Sequence, residues 1–282
     1  AGLRGEAYVS AYVAAKHALV GLTRSVAIEM AKRGIPVNAV CPGYTDTDLV
    51  REAVARVAAK TKKNEADALR TILASAGLGL VGFLDDWKKL KTGKGISAKQ
   101  KLGAQVLWVG FLTASLYVWP PDGFTTGLAI PFFKGWLLTL GLLWVPFTLL
   151  VIVGASNAVN LTDGLDGLAI GPIVMAGGAF ALIAYLTGNF RAAEYLRILN
   201  VKGTGELTVF CGALVGAALG FLWFNSYPAQ VFMGDVGSLA LGGAIGTLAV
   251  LTKSELLLPL IGGIYVVEAG WVIIQVDSFK LT

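Results

Sequence analysis

The feature that most constrains this chain is a succession of apolar stretches, each about as long as a bilayer is thick. They cover residues 105–119, 135–154, 168–187, 207–224, 236–251 and 256–276, each near the ~20 residues that a membrane-crossing helix needs. A shorter apolar run, 72–84, gives roughly half to two thirds of a crossing and reads as a junctional helix. Hydrocarbon offers no partner for a free peptide N–H or C=O, so each stretch is predicted to be helical. The expected fold class is therefore an all-α polytopic membrane protein with about six full transmembrane helices plus one partial. The composition agrees: the chain is 55% hydrophobic with a mean hydropathy of +0.69, well beyond a soluble domain.

Charge is distributed unevenly. Residues 1–75 carry charge as a soluble domain does, whereas the remainder is nearly free of it except between Lys88 and Lys101. The net charge of +5 is therefore a local signal of a loop on the positive side of a membrane, and it does not describe a nucleic-acid footprint. The two cysteines, Cys41 and Cys211, have neither CxxC nor Cys/His spacing, so no disulfide framework or zinc site is indicated. The loop VWPPDGFTTGLAIPFF, rich in aromatics and prolines, suits a membrane–water interface.

Counting crossings places the acidic motifs. FLDDWKKLKTGKGISAKQK, beginning at Phe83, lies at one membrane surface. NAVNLTDGLDGLA, from Asn157, comes two crossings later, and WFNSYPAQVFMGDVGS, from Trp223, two crossings after that. Two more reach Gln275 to Lys280. An even number of crossings separates each motif from the next, so all four meet at one face. The lysines of residues 88–101 mark it as cytoplasmic. Asp85, Asp86, Asn160, Asp163, Asp166, Asn225 and Asp235 gather there. One such aspartate could simply cap a helix and face water. Several converging beside a lysine-rich loop suggest a site for a charged phosphate, with carboxylates to hold Mg²⁺ and lysines to neutralise the remaining charge. A membrane setting implies that one substrate is a lipid.

The same motifs, with PLIGGIYVVEAGWVIIQVDSFKLT at the end, resemble the phospho-N-acetylmuramoyl-pentapeptide-transferase family of polyprenyl-phosphate sugar-phosphate transferases over about residues 77–282. The resemblance implies a ten-helix enzyme of the bacterial inner membrane with its active face cytoplasmic. Such an enzyme moves phospho-MurNAc-pentapeptide from its UDP carrier to undecaprenyl phosphate, giving lipid I and UMP, with Mg²⁺ as cofactor. Asp235 would be the leading metal ligand, joined by Asp86. Asp85 and Asp86 would act on the lipid phosphate or the metal. Asn160, Asp163 and Asp166 would lie near the nucleoside and metal, Asn225 and Phe232 in the uridine pocket, and Lys89 and Lys101 on phosphate. Gln275 would be a weaker pocket residue, and Glu268 a buried paired acid. UDP-MurNAc-pentapeptide, undecaprenyl phosphate and membrane lipid are the implied partners, with no nucleic acid, and a homodimer stays open.

Residues 1–75 read differently. SAYVAAKHALVGLTRSVAIEMAKRGIPVNAVCPGYTDTD resembles the later part of a short-chain dehydrogenase/reductase. Tyr12 and Lys16 match its Tyr-x-x-x-Lys, in which the lysine lowers the phenol pKa. His17 reads as a bystander. The family's Gly-rich dinucleotide unit is absent from these residues, so an incomplete α/β (Rossmann-type) fragment is expected, with a second amphipathic helix over 47–75. The expected division is residues 1–75 and 76–282. Relative to the transferase family, the first two membrane helices, a histidine-rich segment and a last helix are not found, so weak or no turnover is expected. The competing readings are a membrane-tethered NAD(P)-dependent oxidoreductase fragment and a non-catalytic membrane module.

Overall fold

The computed structural model describes residues 48–120, 124–131, 133 and 136–281. Tyr12, Lys16, His17 and Cys41 lie outside the described residues. The expected class holds: the described chain is a multi-pass bundle of apolar helices, with five long and apolar enough to cross a membrane.

Helix α1 (Asp48–Thr92) is continuous for 45 residues. The predicted helix over 47–75 and the partial crossing over 72–84 are one element, with no break at 75–77. The two sequence signals differ because the first part is amphipathic and the second apolar, and helical hydrogen bonding is indifferent to that change. Arg70 donates to the Trp119 carbonyl at 3.3 Å at one membrane face, and Asp85 lies at the other. Gly93, with φ of +69°, ends the helix.

Helix α2 (Ala98–Val118) starts at Ser97, whose hydroxyl accepts from the Gln100 N–H, a standard cap. It buries Gln105, Val109, Thr113 and Leu116, a stripe at helical spacing. Strands β1 (Gly127–Ala129) and β2 (Leu137–Thr139) then form a short antiparallel hairpin, with Leu128 opposite Leu138. The sequence reading expected a loop followed by a crossing from residue 135. The crossing instead starts with a 3₁₀ turn at Gly141–Leu143 and continues as α3 (Trp144–Thr162).

Helix α4 (Ile170–Gly188) and the short α5 (Phe190–Leu196) follow. Next come α6 (Leu207–Asn225) and α7 (Gly234–Leu251). The crossing expected over 256–276 is divided: α8 (Leu258–Ile261) is a single turn, and α9 (Gly263–Leu281) begins after Gly262. The apolar part of α9 runs only from Gly263 to Val276. Hydropathy is continuous through this region, so composition alone could not reveal the break. Tyr265 of α9 donates to the Ala169 carbonyl at 2.6 Å, fixing α9 against the start of α4.

Helix α7 is the centre of the bundle. Every residue from Gly242 to Leu251 is buried, with α1 on one side and α3 on another. Most other helices expose large apolar side chains such as Leu107, Phe111, Leu150, Leu182 and Leu219, which suits a hydrocarbon solvent. Small residues set the approach of the central helices. A methyl group at Gly82 would strike the Asp235 backbone, and one at Gly242 would lie 2.5 Å from the Ala155 carbonyl oxygen. Backbone contact between membrane helices depends on such residues.

Beyond α7, Lys253 and Glu255 are buried at the face opposite the acidic motifs. The Lys253 ammonium lies 3.9 Å from the centre of the Phe124 ring and 4.9 Å from that of Trp144. It is 3.8 Å from Glu255 Oε1. Burial lowers the pKa of Lys253 and raises that of Glu255, and each charge partly offsets the shift of the other. This charged pair inside an aromatic wall had no counterpart in the sequence reading.

The glycine contacts lead to a stability prediction. Gly242→Leu should lower the free energy of unfolding in mixed micelles by about 3 kcal/mol or more, the upper range for overpacking. Gly220→Leu, where nothing lies within 4 Å of an added Cβ, should leave it nearly unchanged.

Candidate active site

Alternating helix directions bring the C-terminal ends of α1, α3 and α6 to the same face as the N-terminal ends of α2, α4 and α7. All but α4 contribute polar side chains there. Asp85, Asp86 and Lys89 share the last turns of α1, with Lys89 one turn from Asp85, the spacing of a helical ion pair. Lys101 stands in the first turn of α2, Asn160 in the last turn of α3, and Asp235 at the start of α7.

The Asp235 carboxylate is the hub. Its Oδ2 accepts from Lys89 Nζ at 2.6 Å and from Lys101 Nζ at 2.9 Å. Its Oδ1 accepts from Asn160 Nδ2 at 2.7 Å. Lys89 also reaches Asp85 at 2.8 Å and Asp86 at 3.3 Å, while Lys101 is 3.6 Å from Asp85. Three carboxylates thus face two ammonium groups, which leaves about one negative charge at a partly desolvated surface. Burial alone would lower the Lys89 pKa. Its hydrogen bonds to Asp235, Asp85 and Asp86 outweigh that and raise it above the ordinary lysine range.

Backbone groups hold the acids in place. The Ile96 N–H donates to Asp85 Oδ1 at 2.5 Å, and the Val236 N–H to Asp86 Oδ2 at 3.3 Å. Gly234 has φ of +65°, and a Cβ there would lie 3.0 Å from Asp86 Oδ2. Glycine therefore serves both the conformation and the close approach. Asp85, Asp86 and Asp235 each offer an oxygen within 4.8 Å of the others. An all-carboxylate oxygen set of this kind suits a hard divalent cation such as Mg²⁺.

A second group of residues forms one wall. Asn225 is buried; its amide oxygen accepts from the Gly167 N–H at 3.1 Å, and its amide nitrogen donates to the Val231 carbonyl at 2.8 Å. Asp166 Oδ2 accepts from the Ala229 N–H at 2.9 Å. The loops after α3 and α6 are thereby tied together. Asp163 ends α3, half-buried, and burial followed by the charge of Asp235 raises its pKa. Phe232 is 73% exposed. Gln275 is exposed on α9, and among the described residues no hydrogen bond or ion pair links it to the acids. Glu268 is only half-buried, which differs from the buried paired acid expected.

The sequence reading missed Ser238, whose hydroxyl accepts from Asn160 Nδ2 at 2.7 Å, and the pair formed by Asn157 and Gln105. Ser238 follows Asp235 by three residues, so helical spacing alone places both on one face. A glutamine in an apolar helix four residues after Lys101 was the available signal for Gln105.

The shift at Asp163 yields a pH prediction. Its folded-state pKa lies above the ordinary carboxylate value of 3.8, so the folded state binds more protons and stability falls as pH rises through that interval. In metal-free buffer at neutral pH, Asp163→Asn should raise the thermal midpoint. That gain should vanish below about pH 4, where the unfolded carboxyl is also protonated.

The chain is similar to known proteins in two separate parts. Residues 1–58 match the short chain dehydrogenase family. Residues 68–253 match Glycosyl transferase family 4. A phospho-N-acetylmuramoyl-pentapeptide-transferase of Thermodesulfovibrio yellowstonii is 57% identical over 213 residues, covering 75% of this chain and 59% of that protein. The protein of the same name from Geobacter sp. (strain M21) is 58% identical over 212 residues, 74% of this chain and 59% of its own. That of Solidesulfovibrio magneticus is 56% identical over 214 residues, 75% and 59% respectively. The chain thus spans less than two thirds of the length of these relatives. With this family match extending over more than half of its length, the chain belongs to Glycosyl transferase family 4.

Proposed function

We propose that this chain carries the site for transfer of phospho-MurNAc-pentapeptide from UDP to undecaprenyl phosphate, forming lipid I and releasing UMP. The observation that carries this reading is the Asp235 carboxylate, shared by two lysines from different helices beside Asp85 and Asp86. The names of the bacterial relatives supply the transferred group, phospho-N-acetylmuramoyl-pentapeptide; UDP as carrier and undecaprenyl phosphate as acceptor follow from the resemblance of the acidic motifs. The lysines of residues 88–101 favour the cytoplasmic face of the bacterial inner membrane. For the division of the chain, we propose that the membrane unit begins within α1. Its family match starts at residue 68, and the sequence boundary was expected at residues 75–76.

In the proposed reaction an oxygen of the lipid phosphate attacks the sugar-bearing phosphorus. The phosphorus–oxygen bond to UMP breaks, and UMP leaves with that electron pair. A phosphate monoester has its second pKa near ~6 and is largely ionised at neutral pH, so proton removal by Asp85 has little to add. The chain's main tasks are to position the reactants and balance their charge. Lys89 and Lys101 would exchange Asp235 for phosphate oxygens as substrate enters. Asn160 would keep Asp235 oriented while they do so. Asp163, Asp166 and Asn225 would shape the nucleotide side, with Phe232 available for stacking at its mouth. Asp85, Asp86 and Asp235 would hold Mg²⁺. When bound, it would neutralise the diphosphate and the developing charge on the leaving group.

The test is reconstitution of the chain in liposomes with UDP-MurNAc-pentapeptide, undecaprenyl phosphate and Mg²⁺, following lipid-linked product and UMP. Turnover is expected to be weak; what product forms should cease on chelation and should fall by about 10²-fold or more in Asp235→Asn, as when one transition-state contact is removed. Product formation indifferent to Asp235→Asn would overturn the assignment.

A further inference from the structure

Gln105 is fully buried on a membrane-crossing helix. Its Oε1 accepts from Asn157 Nδ2 at 2.7 Å, yet its own Nε2 has no hydrogen-bond partner. A buried donor left unpaired is destabilising. The rest of the buried stripe on α2 consists of Val109, Thr113 and Leu116, with the Thr113 hydroxyl bonded to its own helix. A methionine would fill the Gln105 position without an unpaired donor. Packing therefore does not account for the glutamine.

Its neighbours suggest the reason. Gln105 lies one turn from Lys101 on α2, and Asn157 one turn from Asn160 on α3. Both outer residues end on Asp235 of α7. Ser156 of α3 also donates to the Leu239 carbonyl of α7 at 2.9 Å. Three helices are thus joined in a ring: α3 to α7 through Asn160 and Ser156, α7 to α2 through Asp235 and Lys101, and α2 to α3 through Gln105 and Asn157. Among the described residues, the last bond is the only side-chain hydrogen bond between α2 and α3. We propose that Gln105 is a positioning residue whose bond to Asn157 closes this ring and holds the Lys101 ammonium on Asp235.

The proposal takes its functional meaning from the site assignment above, but its test needs no turnover. The full chain in lipid nanodiscs is treated with a water-soluble amine-acylating reagent, and Lys101 and Lys89 are followed by peptide mass spectrometry. In Gln105→Met, Lys101 labelling should rise about two- to tenfold, the equivalent of one net hydrogen bond, while Lys89 labelling stays constant. The exchanged pair Gln105→Asn with Asn157→Gln, which conserves the summed side-chain length, should restore protection of Lys101. Mn²⁺ affinity provides a second readout. Releasing Lys101 leaves one fewer ammonium on Asp235, so Gln105→Met should bind Mn²⁺ more tightly, as should Lys101→Met. The double variant should bind no more tightly than Lys101→Met alone. Simple loss of helix adhesion would instead expose both lysines and weaken Mn²⁺ binding. Equal labelling of both lysines, or unchanged labelling of Lys101, would overturn the proposal.

Discussion

One carboxylate, that of Asp235, organises one face of this protein. It lies where a membrane helix begins, so it starts from a partly dehydrated position that an isolated anion could not hold. Two ammonium groups and an amide make it tolerable, and they come from three other helices. The same contacts therefore balance the charge and define how α1, α2 and α3 stand against α7. Architecture and chemistry depend on a single oxygen-rich point.

The close approach of the helices serves this point. Gly82 brings α1 against the Asp235 backbone, which places Asp85, Asp86 and Lys89 within reach of its side chain. Gly242 brings α3 against α7 lower in the bundle, keeping Asn160 level with Asp235. Interiors that rely on backbone contact leave little room for adjustment. The site inherits that rigidity, whereas Phe232 and Gln275, at exposed positions, do not share it.

The parts of the fold written in hydropathy were legible in the sequence. Residues 168–187, 207–224 and 236–251 closely predict α4, α6 and α7, because an apolar run of the right length has few alternatives in a bilayer. Counting crossings likewise anticipated that Asp86, Asn160 and Asp235 would meet. What the sequence concealed lies where composition and conformation part. The break at Gly262 interrupts a segment that stays apolar throughout. Helix α1 continues from an amphipathic stretch into an apolar one with no change of backbone. The hairpin around Leu128 and Leu138 looks like any interfacial loop. Gln105 and Asn157 find each other only through helix rotation, and Lys253 and Glu255 through a fold that encloses them with Phe124 and Trp144.

The way α1 crosses the bundle has a consequence for depth. From Arg70, beside the Trp119 carbonyl at one face, to Asp85 at the other is fifteen residues, a rise of about 22 Å. Typical bilayer hydrocarbon is ~30 Å thick. A rod this short leaves the surrounding leaflet thinned or the acids sunken below the headgroups. Where the leaflet thins to match, the carboxylates stand level with the plane where a lipid's own phosphate rests. An amphiphile anchored by a long chain could then reach them by sideways diffusion, without being lifted toward water.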